Sequence, residues 1–266
     1  MKRPLFVVKI GGSVLTDKSN IKSAFRKNIT RQLIAQIVEA QKKAKFDLIL
    51  VHGAGAYPHY LTTKYRLDKG FIGRESAKGF VIVKNELFKL NDFFRNECLK
   101  QGLTVCTVQP SAVIVTNLGK IKKFHIDFIQ SLLKMGIVPL LMGDDVIDEA
   151  KGIAVLSGDQ IITYLSRKFE AERIIFVSDV EGVFDKNPKV YKDAEFIKEI
   201  NSKNFKSIID SMKVFNKNDA SCEMKGKILA IADDLAEFDV RIVSGLLKNS
   251  VRDALLGKNK GTVINL

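Results

Sequence analysis

The sequence predicts an α/β protein built on a mostly parallel sheet with helices on both faces. Two observations carry that expectation: short β-branched apolar runs bounded by turn residues, and longer segments of helical period lying between them. Strand, helix, strand in this rhythm implies crossover connections, which parallel strands require.

The elements follow in order. Leu5 to Ile10 reads as the first strand. Ile29, Leu33, Ile34, Ile37 and Val38 then share one helical face, with charge on the other. Leu48 to His52 is the second strand, and Ser76 to Gln101 a long helix. Thr104 to Gln109, Ile137 to Met142 and Arg173 to Ser178 complete the expected strands, with a shorter helix over Asp127 to Met135. The Asn187-Pro188 turn and the polar stretch from Lys192 to Lys206 read as an excursion within the second half. No repeat, low-complexity tract or linker interrupts the pattern, so residues 1–266 are expected to form a single domain.

Composition narrows the function classes. The chain is 46% hydrophobic, enough for a sizeable core, and no window approaches the roughly 18 uninterrupted apolar residues of a membrane span. The start, Lys2-Arg3-Pro4 and a short apolar run, is followed by no small-residue cleavage site. Cys98, Cys106 and Cys222 have unrelated spacings and define neither a disulfide framework nor a metal site. A soluble, cytoplasmic protein is expected. The net charge of +13 draws in anions of every kind. Its basic residues are scattered in small groups such as Lys42-Lys43 and Lys258/Lys260, so a dedicated nucleic-acid surface is not expected.

The informative residues sit where strands end, which is where open parallel sheets gather ligands. The first strand runs into Lys9-Ile10-Gly11-Gly12-Ser13, and the second into His52-Gly53-Ala54-Gly55-Ala56-Tyr57-Pro58-His59. A later one ends in Ser178-Asp179-Val180-Glu181-Gly182-Val183-Phe184, and Leu156-Ser157-Gly158-Asp159 precedes a helix beginning near Gln160. Glycines at such positions let backbone N–H groups approach a phosphate. The P-loop and dinucleotide-binding fingerprints are both absent. Lys9, inside an apolar strand just before Gly11-Gly12, is read as functional, because phosphoryl transfer needs cations around the moving group. For Lys18 and Lys227 composition alone leaves function and solvation equally open. His59 can grip an acceptor oxygen, His52 reads as a packed core histidine, and His125 has no supporting neighbours. No metal cluster and no hydrolase triad emerges from spacing.

Taken in order, Lys9-Ile10-Gly11-Gly12-Ser13, the Gly53/Gly55 loop, Ser157-Gly158-Asp159, Ser178 to Asp185 with Asn187-Pro188, and Met224-Lys225-Gly226-Lys227 resemble the successive motifs of the amino-acid-kinase superfamily. The likeness extends to Gly261-Thr262-Val263-Ile264. It implies a three-layer αβα sandwich around a mainly parallel sheet, with an acceptor-binding lobe over about 1–165 and a nucleotide-binding lobe over about 166–266. Within the superfamily, Gly11 to Lys18 and the loop histidine His59 look like the isopentenyl phosphate kinases.

The resemblance implies an ATP-dependent kinase that converts isopentenyl phosphate to isopentenyl diphosphate by direct in-line transfer. Lys9 and Lys18 would neutralise the moving phosphoryl group, and Asp159 would orient lysines rather than act as a base. His59, Ala54 and Gly158 would bind the acceptor. Lys9, Gly11, Gly12, Ser13, Gly55, Asp179, Gly182 and Lys227 would hold ATP, with Mg²⁺ bridging its phosphates and no resident metal site. A homodimer is also implied. Fosfomycin-type phosphonate kinases share the histidine, and other small-molecule kinases of the superfamily remain alternatives. The sequence departs from the family pattern at Ala54, Pro58, Cys222 and Glu223. The last two replace glycines near the expected triphosphate, which motivates a further alternative, a nucleotide-binding regulator without turnover.

Overall fold

A computed structural model describes residues 3–17, 25–212 and 220–266, with residues 220–223 given by backbone alone. The first half contains β1 (Leu5–Ile10), α1 (Gly12–Leu15), α2 (Lys27–Lys43), β2 (Asp47–His52), α3 (Ala56–Lys64), a 3₁₀ turn (Leu67–Lys69) and α4 (Arg74–Lys100). Next come β3 (Val105–Thr107), α5 (Pro110–Val113), β4 (Ile114–Asn117), β5 (Lys120–Phe124), α6 (Asp127–Lys134), β6 (Val138–Met142), β7 (Asp144–Asp148) and β8 (Gly152–Leu156). The remainder is α7 (Gly158–Phe169), β9 (Arg173–Ser178), β10 (Val183–Phe184), β11 (Phe196–Ile197), β12 (Glu199–Asn201), α8 (Phe205–Ser211), α9 (Ala220–Leu235), β13 (Asp239–Ser244), α10 (Ser250–Leu255) and β14 (Thr262–Asn265).

Eight strands form the central sheet in the order β12-β14-β13-β9-β1-β2-β6-β3. All its pairs are parallel except β13 with β14. The central strands are buried on both faces, which is why Leu5–Ile10 and Asp47–His52 read as nearly continuous apolar runs. Alternation splits each strand between two cores. Phe6, Val8 and Ile10 pack with Leu33 and Ile37 of α2 and Phe94 of α4, while Val7 turns to Ile161, Ile162 and Leu165 of α7. Helices therefore cover both faces, giving the expected three layers. Because β1 pairs with β2 on one side and β9 on the other, both halves of the chain share one sheet. Among the described residues no helix is long and apolar enough to cross a membrane.

The polar stretch after Lys192 is more than an excursion. Glu199–Asn201 inside it becomes the edge strand β12, and helix α8 follows. An edge strand pairs on one side only, so it lacks the apolar run that marks a central one.

A second sheet of order β5-β4-β7-β8 stands beside the first and was not legible in the sequence. Its hairpins converge on Asp148, which is 1% exposed. The β4–β5 turn carries Leu118 at φ 51° and Gly119 at φ 77°, the left-handed pair that a tight two-residue hairpin demands. Asp148 accepts the N–H groups of both residues, at 3.2 and 2.8 Å, and so holds a leucine where that conformation is disfavoured. It also accepts Ala150 N–H at 3.0 Å, Lys151 N–H at 2.9 Å and the Thr116 hydroxyl at 2.8 Å. Burial would raise this carboxyl, but these donors outweigh it and hold it at about 2. The resulting stabilisation is present above the unfolded value and is lost as pH falls through the folded one. Asp148→Asn is expected to lower stability by about 2 kcal/mol at neutral pH. That difference should shrink as pH falls from about 4 toward about 2, where the wild-type carboxylate takes up its proton. Denaturant titrations of both proteins across this range check the expectation.

Candidate active site

Parallel strands bring their carboxyl ends to one edge of the sheet, and there the loops continue the ladder by one rung. Gly11 N–H donates to Val177 O at 2.8 Å, Gly53 to Ile10 O at 2.8 Å, Gly143 to His52 O at 2.8 Å and Gly245 to Ser178 O at 2.7 Å. Two of these loops touch backbone to backbone. A Cβ at Gly12 would lie 2.6 Å from the Gly55 nitrogen, and one at Gly53 would lie 2.5 Å from the Gly12 nitrogen. Thr16 locks the contact: its hydroxyl donates to Gly12 O at 2.9 Å and accepts Ala56 N–H at 3.0 Å. The loops line a cavity of about 860 Å³, within the range of small-molecule sites.

The charged centre of the cavity is an ion cluster. Lys9 shares the face of β1 that carries Val7, and this face packs on α7. Ser157 caps α7 through a reciprocal pair with Gln160, at 3.1 and 3.0 Å, which sets Asp159 in the first turn at the cavity. The helix begins at Gly158, two residues earlier than expected. Lys9 Nζ lies 2.9 Å from Asp159 Oδ1, and Lys227 Nζ, from α9, lies 3.3 Å from Asp159 Oδ2. Desolvation opposes ionisation of Asp159, yet the fields and hydrogen bonds of Lys9 and Lys227 overcome it and hold the carboxyl at about 2. Burial, reinforced by repulsion from Lys9, lowers the Lys227 ammonium. The cluster carries a net single positive charge beside the N-terminus of α7, where the helix dipole adds to it.

The rest of the cavity is lined from both halves of the chain, and the expected Ser13, Asp179, Gly182, Ala54 and His59 are among its residues. On the second-half side lie Ser13, Asp179, Gly182, Phe184 and Met224. Asp179 is ion-paired with Lys189 and bonded by the Ser13 hydroxyl, and these donors lower its carboxyl against the opposing effect of burial. Gly182 is required because a Cβ there would meet Thr262 Oγ1 at 2.5 Å. On the first-half side lie Ala54, Pro58, His59, Val83 and Leu87. His59 stands exposed in the first turns of α3, behind the left-handed Gly55 at φ 83°.

Two departures from the glycine-rich pattern are absorbed locally. The Ala54 methyl packs against the cluster of Leu61, Leu67, Val83, Leu87 and Met142. Pro58 falls in the first turn of α3, where an N–H has no intrahelical acceptor to lose. Lys18 lies outside the described residues, as do the side chains of Cys222 and Glu223.

Two cavity residues, Asp144 and Asp145, and a buried lysine behind them escaped the sequence reading. Lys84 of α4, buried behind the wall, bonds Asp144 Oδ1 and the Asp145 carbonyl. Burial lowers its ammonium against the opposing pull of Asp144 and Asp145. Burial pushes the Asp145 carboxyl up to about 7; Lys84 opposes this and Asp144 adds to it. The signal that could have found them is the one used elsewhere, since Gly143-Asp144-Asp145 directly follows a strand. His52 is the packed histidine expected: Nδ1 lies 3.0 Å from Gly53 O and Nε2 3.2 Å from Asn91 Oδ1, and burial lowers its pKa. A neutral ring donating from Nδ1 needs the Asn91 amide turned, so that its NH₂ faces Nε2 and its oxygen accepts from Thr107.

Comparison with known proteins gives the same reading from an independent side. The sequence profile of the Amino acid kinase family matches residues 4–244. An isopentenyl phosphate kinase of Methanothermobacter thermautotrophicus is 31% identical over 98% of this chain and 98% of that protein. One of Methanocaldococcus jannaschii is 30% identical over the same shares. A solved isopentenyl phosphate kinase structure superposes with a TM-score of 0.81 at 29% identity, covering 98% of this chain and all of that one. Strand-end glycine loops around a Lys–Asp–Lys cluster, and a family match running across nearly the whole sheet, lead to one assignment: the chain belongs to the amino acid kinase family.

Proposed function

We propose that this chain is an ATP-dependent phosphotransferase that moves the γ-phosphoryl group onto a small monophosphate ester, isopentenyl phosphate giving isopentenyl diphosphate. The observation that carries the reading is the Lys9–Asp159–Lys227 cluster, set between an arm holding His59 and an arm holding Asp179 and Gly182. The choice of acceptor is supported by the full-length relatives named above.

The chemistry needs little covalent help. An acceptor phosphate oxygen forms the new bond to Pγ while the bond from Pγ to the β-phosphate oxygen breaks, its electron pair leaving with ADP. A phosphate monoester is already anionic near neutral pH, so no base need remove a proton. Asp159 accordingly has no proton to take: held at about 2 between two ammonium groups, it keeps Lys9 and Lys227 aimed at one point. Those cations neutralise charge on the equatorial oxygens as the transition state forms. N–H groups of the Gly11-Gly12 and Ala54-Gly55 loops would surround the same point, Gly158 and His59 would hold the acceptor phosphate, and Lys18 takes its role from resemblance alone. Among the described residues no group of three or more ligating side chains could cage a metal ion. Mg²⁺ entering with the nucleotide would supply charge neutralisation to the triphosphate. A homodimer in the cytoplasm belongs to the same proposal and is supported by the resemblance.

ADP release from Mg-ATP with isopentenyl, dimethylallyl and geranyl phosphates, fosfomycin, UMP, carbamate and N-acetylglutamate tests the reading. Turnover confined to prenyl phosphates is expected; turnover of carbamate or N-acetylglutamate alone would overturn it. His59→Ala is expected to raise KM for isopentenyl phosphate by about tenfold or more while ATP binding stays within about twofold. Equal loss of ATP binding would remove His59 from the acceptor arm. Asp159→Asn should lower kcat by about ten- to a hundredfold, because the paired ammoniums lose the charge between them. The wild-type kcat profile should show no acid limb from Asp159 above about pH 3, since a group with its pKa at about 2 is ionised there.

A further inference from the structure

One buried side chain ties two glycine loops of the cavity to each other without touching the cavity itself. Thr16 ends α1, where its N–H donates to Gly12 O at 3.0 Å and the chain turns extended, at φ −129° and ψ 149°. Its hydroxyl donates to the same Gly12 O at 2.9 Å and accepts Ala56 N–H at 3.0 Å. A hydroxyl has one proton to give and lone pairs to accept with, so a single Oγ1 serves both loops at once. The second bond completes α3. That helix opens at Ala56 behind Gly55, a cap residue with no side chain, so one of its first-turn N–H groups takes its partner from Thr16 instead. The methyl branch is used as well. A Cβ at Gly55 would lie 2.8 Å from Thr16 Cγ2, so this methyl sits in the space that the glycine leaves open. Thr16 is 1% exposed and lies behind the lining formed by Gly12, Ser13, Gly55 and Ala56.

We propose that Thr16 is a positioning residue for phosphoryl transfer, whose hydroxyl fixes the distance between the loop that holds the γ-phosphate and the helix that holds the acceptor. The proposal rests on the reading of this site as a kinase for monophosphate esters. In that reading Gly11 and Gly12 serve the nucleotide, while Ala54 and His59 serve the acceptor. His59 follows in the same helix as the Ala56 N–H that Thr16 holds. In-line transfer needs the attacking oxygen about 3–3.5 Å from Pγ, and a displacement of about 1 Å can cost about a hundredfold in rate. Each substrate touches its own loop, so loosening the tie leaves the separate binding contacts in place and changes only their spacing. The penalty therefore falls on the transfer step. A loosened site also admits water between the acceptor and Pγ. A water oxygen then forms the bond to Pγ as the bond to the β-phosphate oxygen breaks, releasing ADP, inorganic phosphate and a proton with the acceptor unused.

The test measures isopentenyl diphosphate and ADP formed from Mg-ATP and isopentenyl phosphate by the wild type, Thr16→Val and Thr16→Ser. Valine matches the shape and removes the hydroxyl; serine keeps the hydroxyl and removes the methyl. Thr16→Val is expected to lower kcat by about tenfold or more, with KM for each substrate within about threefold of the wild type. Its yield of diphosphate per ADP should fall below the wild-type yield, as ATP is lost to water. Thr16→Ser is expected to bring kcat back to within about threefold and to restore the yield. Wild-type kcat or wild-type yield in Thr16→Val overturns the proposal, and so does a Thr16→Ser enzyme no better than Thr16→Val. A rise in both KM values at unchanged kcat overturns it too. Thr16→Ala replaces Thr16→Val if the latter does not fold, and failure of both to fold assigns Thr16 to stability and overturns the proposal. A wild type that turns over no prenyl phosphate overturns the kinase reading and takes this proposal with it.

Discussion

Two ammonium groups gathered on one carboxylate, Lys9 and Lys227 on Asp159, are the constraint around which the rest of the site is arranged. Two lysines this close repel each other, and burial disfavours charge on Lys227. Asp159 relieves the repulsion without cancelling the net positive charge. A fully neutralised cluster would have nothing to offer a triphosphate, and an uncompensated pair would shed a proton. The three residues come from a strand, the first turn of one helix and the body of another, 218 positions apart from Lys9 to Lys227. Only the layered sheet brings them to one edge.

The scaffold holds that edge with backbone rather than side chains. Each exit loop adds one hydrogen bond beyond its strand, so the loops inherit the spacing of the sheet. Gly12, Gly53 and Gly55 then let two loops press together at distances no Cβ allows. The second sheet contributes from the other side. Asp148 closes two of its turns, and Gln160 in the first turn of α7 donates to Gly119 O at 2.8 Å in one of them. The orientation of the helix that carries Asp159 is thus tied to a hairpin whose own turn depends on a buried carboxylate.

Legibility in the sequence followed burial. Strands β1 and β9 were bounded to the residue because both faces are apolar and turn residues flank them. β12, at the sheet edge, and the hairpins of the second sheet have polar faces and mixed periods, so they left no comparable signal. Lys9 and Asp159 stood out because charge in an apolar strand, or just after a Ser-Gly turn, is conspicuous. Lys227 did not, since on a helix that also carries Lys225 only its partner distinguishes it. Lys84 and Asp145 were hidden for the same reason. α4 reads as an ordinary amphipathic helix, and its buried lysine is explained only by Asp144, which lies 60 positions away.

Composition and site must also be reconciled on a physical scale. The chain carries a net charge of +13, which favours encounter with two anionic substrates at once. Yet at physiological salt a surface charge is screened beyond about 8 Å, so scattered lysines cannot stabilise a transferring phosphoryl group. In the proposed function, the groups within that range are the cluster on Asp159 and the N–H groups of the loops. The acceptor arm inverts the pattern. The walls are Val83, Leu87 and Val155, and the buried Lys84 behind them is cancelled by Asp144. Under the proposed function, positive charge is thus concentrated where phosphate would sit and neutralised where the organic part would sit.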